Sequence, residues 1–310
     1  MDATRPALRT EALTKRYGRK AAVDGLSFEV PPGSIFGFLG PNGAGKTTTF
    51  SLLCGFVLPT SGGATVLGEP LSGLRRLRGR LSALPQDARF QPSRTCLDSL
   101  RFMAEVQGIE PAAARREADR VLETVGLQDA RAVKGGALSH GMAKRFGIAQ
   151  AFLGEPELVL LDEPTEGLDP RTAHTIRQLV RSLAGRSTVV VSSHNLAEVE
   201  DLCDRAAIID HGRLVAQGTL GELTGTDQQV IVTLGPGGPD PSAALRRLAR
   251  VKAVEVAPGG LRVRVALRPL AGEPVEAAVS EVLRAVLDSG ATVGAVVRGR
   301  SLEERFLELT

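Results

Sequence analysis

Residues 40–47, which read GPNGAGKT, constrain the fold of this chain more than any other segment. They fit the pattern G-x-x-x-x-G-K-[ST], in which a glycine-rich loop curls so that successive backbone N–H groups face one anion. The apolar run 35–39 before the loop predicts a buried strand, and residues 46–55 after it predict a helix. A phosphate-binding loop requires this order of strand, loop and helix, because the helix N-terminus adds the positive end of its dipole.

Two side chains of the loop suit a nucleoside triphosphate. Lys46 can reach the β- and γ-phosphates, and the Thr47 hydroxyl can ligate a magnesium ion. The alternative is a glycine-rich turn with a nearby lysine, but every fixed position of the pattern is filled and both flanking elements are present. The sequence therefore favours a nucleotide site.

A second motif, ELVLLDEP at residues 157–164, is an apolar strand that ends in two carboxylates. Beside a phosphate-binding loop, Asp162 at the strand end can complete a magnesium shell, and Glu163 can polarise an attacking water. Taken alone, the segment favours a buried strand with a solvated acidic end. The phosphate-binding loop makes a catalytic role the better interpretation.

The composition limits the class of protein. With 310 residues the chain is longer than one ordinary domain, which predicts two domains. Its apolar stretches fall short of the about 20 residues that span a bilayer, and its N-terminus lacks the apolar core of a signal peptide. We therefore expect any membrane-spanning part to lie on another chain. The small net charge of +3 predicts no nucleic-acid partner, and three scattered cysteines without metal or disulfide spacing suit a reducing cytoplasm.

The chain divides by pattern into three regions. Residues 7–85 and 150–222 alternate apolar strands with helices, which predicts an α/β fold of the P-loop NTPase type. Between them, over about residues 87–150, strand signals are sparse. Residues 97–106 and 112–125 are two candidate helices, so this middle region is predicted to be a helical subdomain.

The third region, residues 228–310, carries none of these motifs and is interpreted from its pattern alone. Strands are predicted at residues 229–234, 251–256, 261–267 and 292–297, and helices at 242–250 and 275–287. A capping box at residues 301–304 predicts the start of a last helix. The order strand–helix–strand–strand–helix–strand predicts a small α+β (ferredoxin-like) C-terminal domain.

The ordered motifs resemble those of the nucleotide-binding subunit of an ATP-binding-cassette (ABC) transporter. Residues 138–142, LSHGM, lie where that family carries its LSGGQ signature, and residues 166–169, EGLD, match its D-loop. Gln86 matches the glutamine of the Q-loop, His194 the switch histidine, and Tyr17 the aromatic residue that stacks on adenine. The order and spacing of these motifs agree with the family over about residues 7–220.

The resemblance implies an ABC ATPase domain over residues 1–222 that binds and hydrolyses ATP, with ATP and Mg²⁺ as cofactors. It implies export of an unknown substrate through a separate membrane subunit. The catalytic residues implied are Glu163, His194 and Lys46. The nucleotide-binding residues implied are Tyr17, Gly40, Pro41, Asn42, Gly43, Ala44, Gly45, Lys46, Thr47, Thr48, Gln86, Ser139, Gly141 and Asp169. The metal ligands implied are Thr47, Gln86 and Asp162.

The matched side chains also have physical reasons for these roles. The ring of Tyr17 can stack on a purine, although a strand-edge aromatic would look the same. The Gln86 amide can accept from a magnesium-bound water, and the His194 imidazole can donate to a γ-phosphate oxygen. Asp169 opens a predicted helix, so we expect it to cap that helix as well.

The resemblance also implies partners and a location. In the family, the signature serine and glycine amides hold the γ-phosphate of ATP bound to another subunit, so Ser139 and Gly141 would complete the site of a second copy arranged head-to-tail. The other partner is an integral-membrane permease on another chain. The expected location is cytoplasmic, peripheral on the inner face of the cell membrane. Phe90, which follows the Q-loop glutamine, would contact a helix of that permease or pack under its own subdomain.

The signature departs from the family pattern at His140 and Met142, and the sequence leaves the effect on turnover open. Two alternative functions are a soluble non-transport ABC ATPase and a nucleotide-dependent regulator. The first usually has two cassettes in one chain or a long coiled-coil insertion, and this chain has neither. The presence of Lys46, Asp162, Glu163 and His194 argues against the second.

Overall fold

The computed structural model describes residues 5–184, 187–224, 229–268, 275–299 and 302–309. The chain forms two compact units, Met1–Gln217 and Gly218–Thr310. The predicted domain limits, 222 and 228, lie slightly beyond this division. No helix in the described ranges combines the length and apolar character needed to cross a membrane.

The first unit contains two sheets and six α-helices among its described residues. Its strands are β1 (Leu8–Tyr17), β2 (Lys20–Leu26), β3 (Glu29–Val30), β4 (Ile35–Leu39), β5 (Ser61–Val66), β6 (Glu69–Pro70), β7 (Leu81–Leu84), β8 (Leu158–Asp162), β9 (Thr188–Ser193), β10 (Arg205–Asp210) and β11 (Arg213–Thr219), the last of which crosses into the second unit. Its helices are α1 (Lys46–Leu53), α2 (Cys96–Gln107), α3 (Pro111–Thr124), α4 (His140–Ala151), α5 (Pro170–Ala184) and α6 (Leu196–Leu202). Short 3-10 helices lie at Leu71–Leu77, Gln128–Ala130 and Gly135–Ala137.

The larger sheet has the strand order β11-β10-β4-β9-β8-β7, and the pairs from β10 to β7 are parallel. Strands β4, β8 and β9 are buried along their whole length, which is why each has an apolar run at its centre. Because these strands are parallel, the loops that follow β4, β7, β8 and β9 emerge at one edge of the sheet. That edge carries the phosphate-binding loop and the other predicted site residues.

The smaller sheet has the order β2-β1-β5-β6, with β3 paired to β1, and the pairs are antiparallel. It shares one buried core with β4 and α1. Four aromatic rings contact one another in series through that core: Phe36, Phe28, Phe38 and Phe50. The core therefore braces the strand and the helix that flank the phosphate-binding loop.

The segment between β7 and β8 is helical, as predicted. The candidate helices at residues 97–106 and 112–125 are confirmed as α2 and α3, each within one residue or so of the predicted ends. The Thr95 hydroxyl caps α2 by accepting from the Asp98 N–H, and the Glu110 carboxylate caps α3 by accepting from two N–H groups of its first turn.

The second unit is described by itself. Its elements are α7 (Leu220–Thr224), β12 (Gln229–Leu234), α8 (Ser242–Leu245), β13 (Val251–Val256), β14 (Arg262–Leu267), α9 (Val275–Asp288), β15 (Val293–Arg298) and α10 (Leu302–Leu309). The strands form one antiparallel sheet in the order β13-β14-β12-β15. A separate apolar core joins this sheet to α8 and α9.

One prediction for this unit is wrong in extent. The helix predicted at residues 242–250 ends at Leu245, because the chain then makes tighter turns with i→i−3 hydrogen bonds, from Leu248 N to Leu245 O and from Val251 N to Leu248 O, before entering β13. The predicted capping box includes Ser301, which lies outside the described residues.

Candidate functional site

The phosphate-binding loop connects β4 to α1 and has room only for glycine at two of its positions. Gly45 precedes α1 with a φ of 104°, and a Cβ built there would lie 2.4 Å from the Ala22 carbonyl oxygen. A Cβ on Gly40 would lie 2.5 Å from the Ile209 carbonyl oxygen. The backbone therefore curls tightly into α1, whose N-terminal amides face the site.

A chain of three side chains, two of them buried, crosses the edge of the sheet. The Lys46 ammonium donates to the Gly40 carbonyl at 2.8 Å and lies 3.1 Å from Oε1 of Glu163. Oε2 of Glu163 lies 3.0 Å from Nδ1 of His194. Lys46 and Glu163 are 6% and 4% exposed. The three predicted catalytic residues are thus in contact although they follow three different strands.

The backbone at Glu163 lies in the left-handed region with a φ of 48°, which is uncommon for a residue other than glycine. Its N–H donates to the Ser192 hydroxyl at 2.9 Å, and that hydroxyl donates to Oδ1 of Asp162. Ser192 therefore holds both carboxylate-bearing residues at the end of β8. The sequence did not identify it, although a serine that ends an apolar strand is a visible signal.

A cavity of about 490 Å³ adjoins this chain of side chains. Nine predicted site residues line it: Tyr17, Asn42, Gly43, Gly45, Lys46, Thr47, Thr48, Gln86 and Glu163. Three lining residues were not predicted: Lys20, Ala22 and Glu166. The Tyr17 ring is 53% exposed and lies 5.1 Å from the Lys15 ammonium, so it remains accessible to a ligand. The volume and polar lining suit a nucleotide.

Other predicted site residues lie near this cavity without lining it. Gly40 and Pro41 accept from Lys46 through their carbonyls, and Ala44 is buried. Asp162 is buried behind Glu163, and His194 reaches the site only through Glu163.

Ser139, Gly141 and Asp169 form a second cluster at the starts of α4 and α5. Ser139 caps α4 by accepting from an N–H of its first turn, and a Cβ on Gly141 would lie 3.3 Å from the Thr172 methyl group. Asp169 accepts from the Arg171 and Thr172 N–H groups, which confirms its predicted capping of α5. The hydrogen bond from the Thr172 hydroxyl holds the pKa of the Asp169 carboxyl below its usual range. None of these three predicted residues is among those that line the nucleotide-sized cavity.

Comparison with known proteins agrees with this geometry. Residues 23–166 match the family model described as ABC transporter. Nod factor export ATP-binding protein I of Paraburkholderia xenovorans (strain LB400) is 35% identical over 306 residues, which is 98% of this chain and 97% of that protein. Linearmycin resistance ATP-binding protein LnrL of Bacillus subtilis (strain 168) is 34% identical over 308 residues, which is 98% of each.

A solved structure described as the ATP binding subunit of an ABC transporter is 29% identical, with a TM-score of 0.64 over 70% of this chain and 91% of that one. The family match lies within the first unit, whereas the two relatives match along 98% of the chain. On this evidence the chain belongs to the ABC transporter family, as an ATP-binding subunit that hydrolyses ATP to power transport.

Proposed function

We propose that Glu163 positions the attacking water when this subunit hydrolyses ATP. One observation carries the proposal: the carboxylate lies between the Lys46 ammonium, 3.1 Å from Oε1, and the His194 ring, 3.0 Å from Oε2. It also lines the cavity that contains the phosphate-binding loop. A carboxylate that contacts a histidine through one oxygen beside a phosphate site can accept a proton from water through the other.

The same contacts give a sequence of events. A phosphate in the cavity competes with Glu163 for the Lys46 ammonium, because both are anions. When Lys46 turns to the phosphate, Oε1 of Glu163 becomes free to accept from water while His194 still holds Oε2. The water oxygen attacks the γ-phosphorus, the bond to the bridging oxygen breaks, and ADP leaves with that electron pair. Lys46 offsets the charge that develops, and its burial strengthens this effect.

The oxygen donors at this edge of the sheet fit magnesium. Thr47 lines the cavity with a hydroxyl, Gln86 offers an amide oxygen, and Asp162 offers a buried carboxylate oriented by Ser192. Within the described residues no group of three or more His, Cys, Asp or Glu side chains could hold a metal ion. Mg²⁺ is usually held by one or two carboxylates together with phosphate oxygens and water, and when bound it would neutralise phosphate charge.

The role of Glu163 can be tested with an isosteric change. Glu163→Gln keeps the shape and removes the proton acceptor, so we expect ATP binding to persist and single-turnover hydrolysis to fall at least about 100-fold. Glu157→Gln is the matched control, because Glu157 lies in the same motif and pairs with Arg80 away from the cavity. We expect it to keep wild-type turnover. Wild-type turnover by Glu163→Gln would show that another group positions the water.

We further propose that two copies assemble head-to-tail with ATP between them. The support is the separation of the predicted nucleotide contacts into two clusters: the loop residues line the cavity, whereas Ser139, Gly141 and Asp169 lie at the starts of α4 and α5. The amides at the N-terminus of α4 can bind a phosphate brought by another subunit. Each copy would then complete the other's site.

We also propose that the subunit acts in export, through a permease on another chain at the cytoplasmic face of the membrane. The support is family membership and the names of two relatives, a Nod factor export protein and a linearmycin resistance protein. Reconstitution with a candidate permease chain tests this, since export-coupled ATPase should require both chains.

For the second unit we propose a ferredoxin-like domain over residues 228–310, next to an ATPase domain over residues 1–222. Its strands follow the chain order β12, β13, β14, β15. Across the sheet the order is β13-β14-β12-β15, so the first strand lies between the third and the fourth. All three pairs are antiparallel, and the helices α8 and α9 fall after the first and third strands. Both features support a split β-α-β arrangement.

A further inference from the structure

The side chain of Glu166 lies between two cavities of the first unit. It lines the nucleotide-sized cavity of about 490 Å³ and a neighbouring cavity of about 590 Å³. Gln86 also lines both, and its Nε2 donates a partly buried hydrogen bond to Oε2 of Glu166. The two side chains come from loops 80 residues apart in sequence, after β7 and β8. The contact therefore depends on the sheet that aligns those loops.

The chemistry of this contact fixes the orientation of the Gln86 amide. An ionised carboxylate has no proton to donate, so it can only accept, and only the NH₂ end of an amide can donate to it. With Nε2 turned to Glu166, the amide oxygen must point the other way. That oxygen is the end of Gln86 that can serve a metal ion or a metal-bound water. A neighbour that both donates and accepts, such as a hydroxyl, would not select one end of the amide.

Glu166 is itself held in place. Its N–H donates to the carbonyl of Glu163 at 3.2 Å, within the turn that follows β8. The next residue, Gly167, has a φ of 74° and carries the chain onward to α5. The turn thus fixes the Glu166 backbone relative to Glu163, and from there the carboxylate reaches Gln86.

We infer that Glu166 is a positioning residue for magnesium: it orients the Gln86 amide so that Oε1 faces the metal site. The inference rests on the proposed binding of Mg-ATP at this cavity. Partners that orient a metal ligand commonly contribute 10- to 100-fold to metal affinity. Among the described residues, Glu166 makes no hydrogen bond to the phosphate-binding loop. Nucleotide binding without metal should therefore not depend on its acceptor oxygen.

A plain charge effect is the competing explanation, because removing any carboxylate near the cavity changes its potential. Asp87 provides the matched control. It adjoins Gln86 in sequence and lines the neighbouring cavity, but the structure gives it no hydrogen bond to the Gln86 amide. Asp87→Asn removes one negative charge without removing the acceptor. Glu166→Gln removes the charge and keeps an acceptor oxygen, whereas Glu166→Ala removes both.

The experiment measures the affinity of the full chain for a fluorescent, non-hydrolysable ATP analogue, in excess Mg²⁺ and in EDTA. The ratio of the two affinities is the gain due to magnesium. We expect Glu166→Ala to reduce this gain about tenfold and leave the EDTA affinity within about twofold of wild type. Glu166→Gln should lose less, and Asp87→Asn should keep the wild-type gain. In a Gln86→Ala background, Glu166→Ala should cause no further loss, because the residue acts through Gln86.

Several results would overturn the inference. One is an unchanged affinity gain from Mg²⁺ in Glu166→Ala. Another is an equal loss of that gain in Glu166→Ala, Glu166→Gln and Asp87→Asn, which would point to charge alone. An undiminished effect of Glu166→Ala in the Gln86→Ala background would show that it does not act through the amide. A wild-type chain that gains nothing from Mg²⁺ would overturn this inference and the proposed metal site together. The EDTA affinity shows in each case that the variant is folded.

Discussion

At the scale of single residues, the site contains backbone conformations with positive φ, which residues other than glycine rarely adopt. Gly45 has a φ of 104° and Glu163 a φ of 48°. The glycine is required because its α-hydrogen faces the Ala22 carbonyl, with a built Cβ at 2.4 Å. Glu163 is no glycine, so its strained backbone persists only because Ser192, Lys46 and their neighbours hold it. Strain at this position is consistent with a residue kept for its carboxylate.

The requirement at Gly45 gives a direct prediction. Gly45→Ala would force the loop away from Ala22 and tilt the N-terminal amides of α1, so we expect nucleotide affinity to fall by more than about tenfold. Gly63→Ala is the matched control, since a Cβ at Gly63 meets nothing within 4 Å. Titration with a fluorescent ATP analogue measures both. Equal affinity of the two variants would show that the loop can relax around the methyl group.

At the scale of elements, the helical segment is held by caps and by one aromatic contact. The rings of Phe90 and Phe146 meet edge to face, with centroids 4.8 Å apart. Phe90 follows the Q-loop glutamine, and Phe146 belongs to α4, which begins at the signature. This contact supports the packing of Phe90 within its own unit, one of the two roles that the sequence left open. It also joins the loop after Gln86 to the helix that starts beside Ser139.

We therefore expect Phe90→Ala to lower stability by about 1–2 kcal/mol, less than a fully buried phenylalanine, because the ring is only half-buried. Phe102→Ala is the control, since Phe102 is 48% exposed and its main ring contact is with Arg94. Urea unfolding of the full chain, monitored through the first unit, measures both. If Phe90→Ala left stability unchanged but weakened co-purification with the permease, the ring would instead be a docking contact.

At the scale of the whole molecule, the predicted nucleotide contacts lie in two separate clusters. Lys46 and Gln86 line the cavity, whereas Ser139 and Asp169 cap α4 and α5 elsewhere in the same unit. Because ATP would join two copies, their association should depend on nucleotide concentration by mass action. The second unit has its own sheet and core, so we expect it to fold without taking part in nucleotide binding.

The assembly can be tested without disturbing α4. Aspartate and asparagine both cap helices well, so Ser139→Asp and Ser139→Asn should keep the cap on the Met142 N–H. In a Glu163→Gln background with Mg-ATP, we expect a dimer for Ser139→Asn and a monomer for Ser139→Asp, whose charge repels the γ-phosphate. Light scattering gives the mass. Dimers of equal affinity in both variants would place the phosphate contact outside the signature.

Much of the fold was available from local pattern. The buried runs of β4 and β8 are continuous because parallel strands are covered on both faces, and the helices α2 and α3 show an apolar period of 3.6 residues. The phosphate-binding loop was predictable because its fixed glycines and its lysine are contiguous in the chain. Local pattern was less reliable for α8, where the turns into β13 end the helix at Leu245. There, the need to enter strand β13 outweighed the helix propensity of residues 246–250.

The sequence by itself predicted most of the candidate site residues, because each motif is local and its residue types suit phosphate, metal or water. Only the tertiary structure decided which of them meet. The order β4-β9-β8-β7 brings Lys46, Glu163 and His194 into one contact chain, and it places Glu166 against Gln86. Such contacts join residues far apart in sequence, and they form only when parallel strands align their ends at one edge of the sheet.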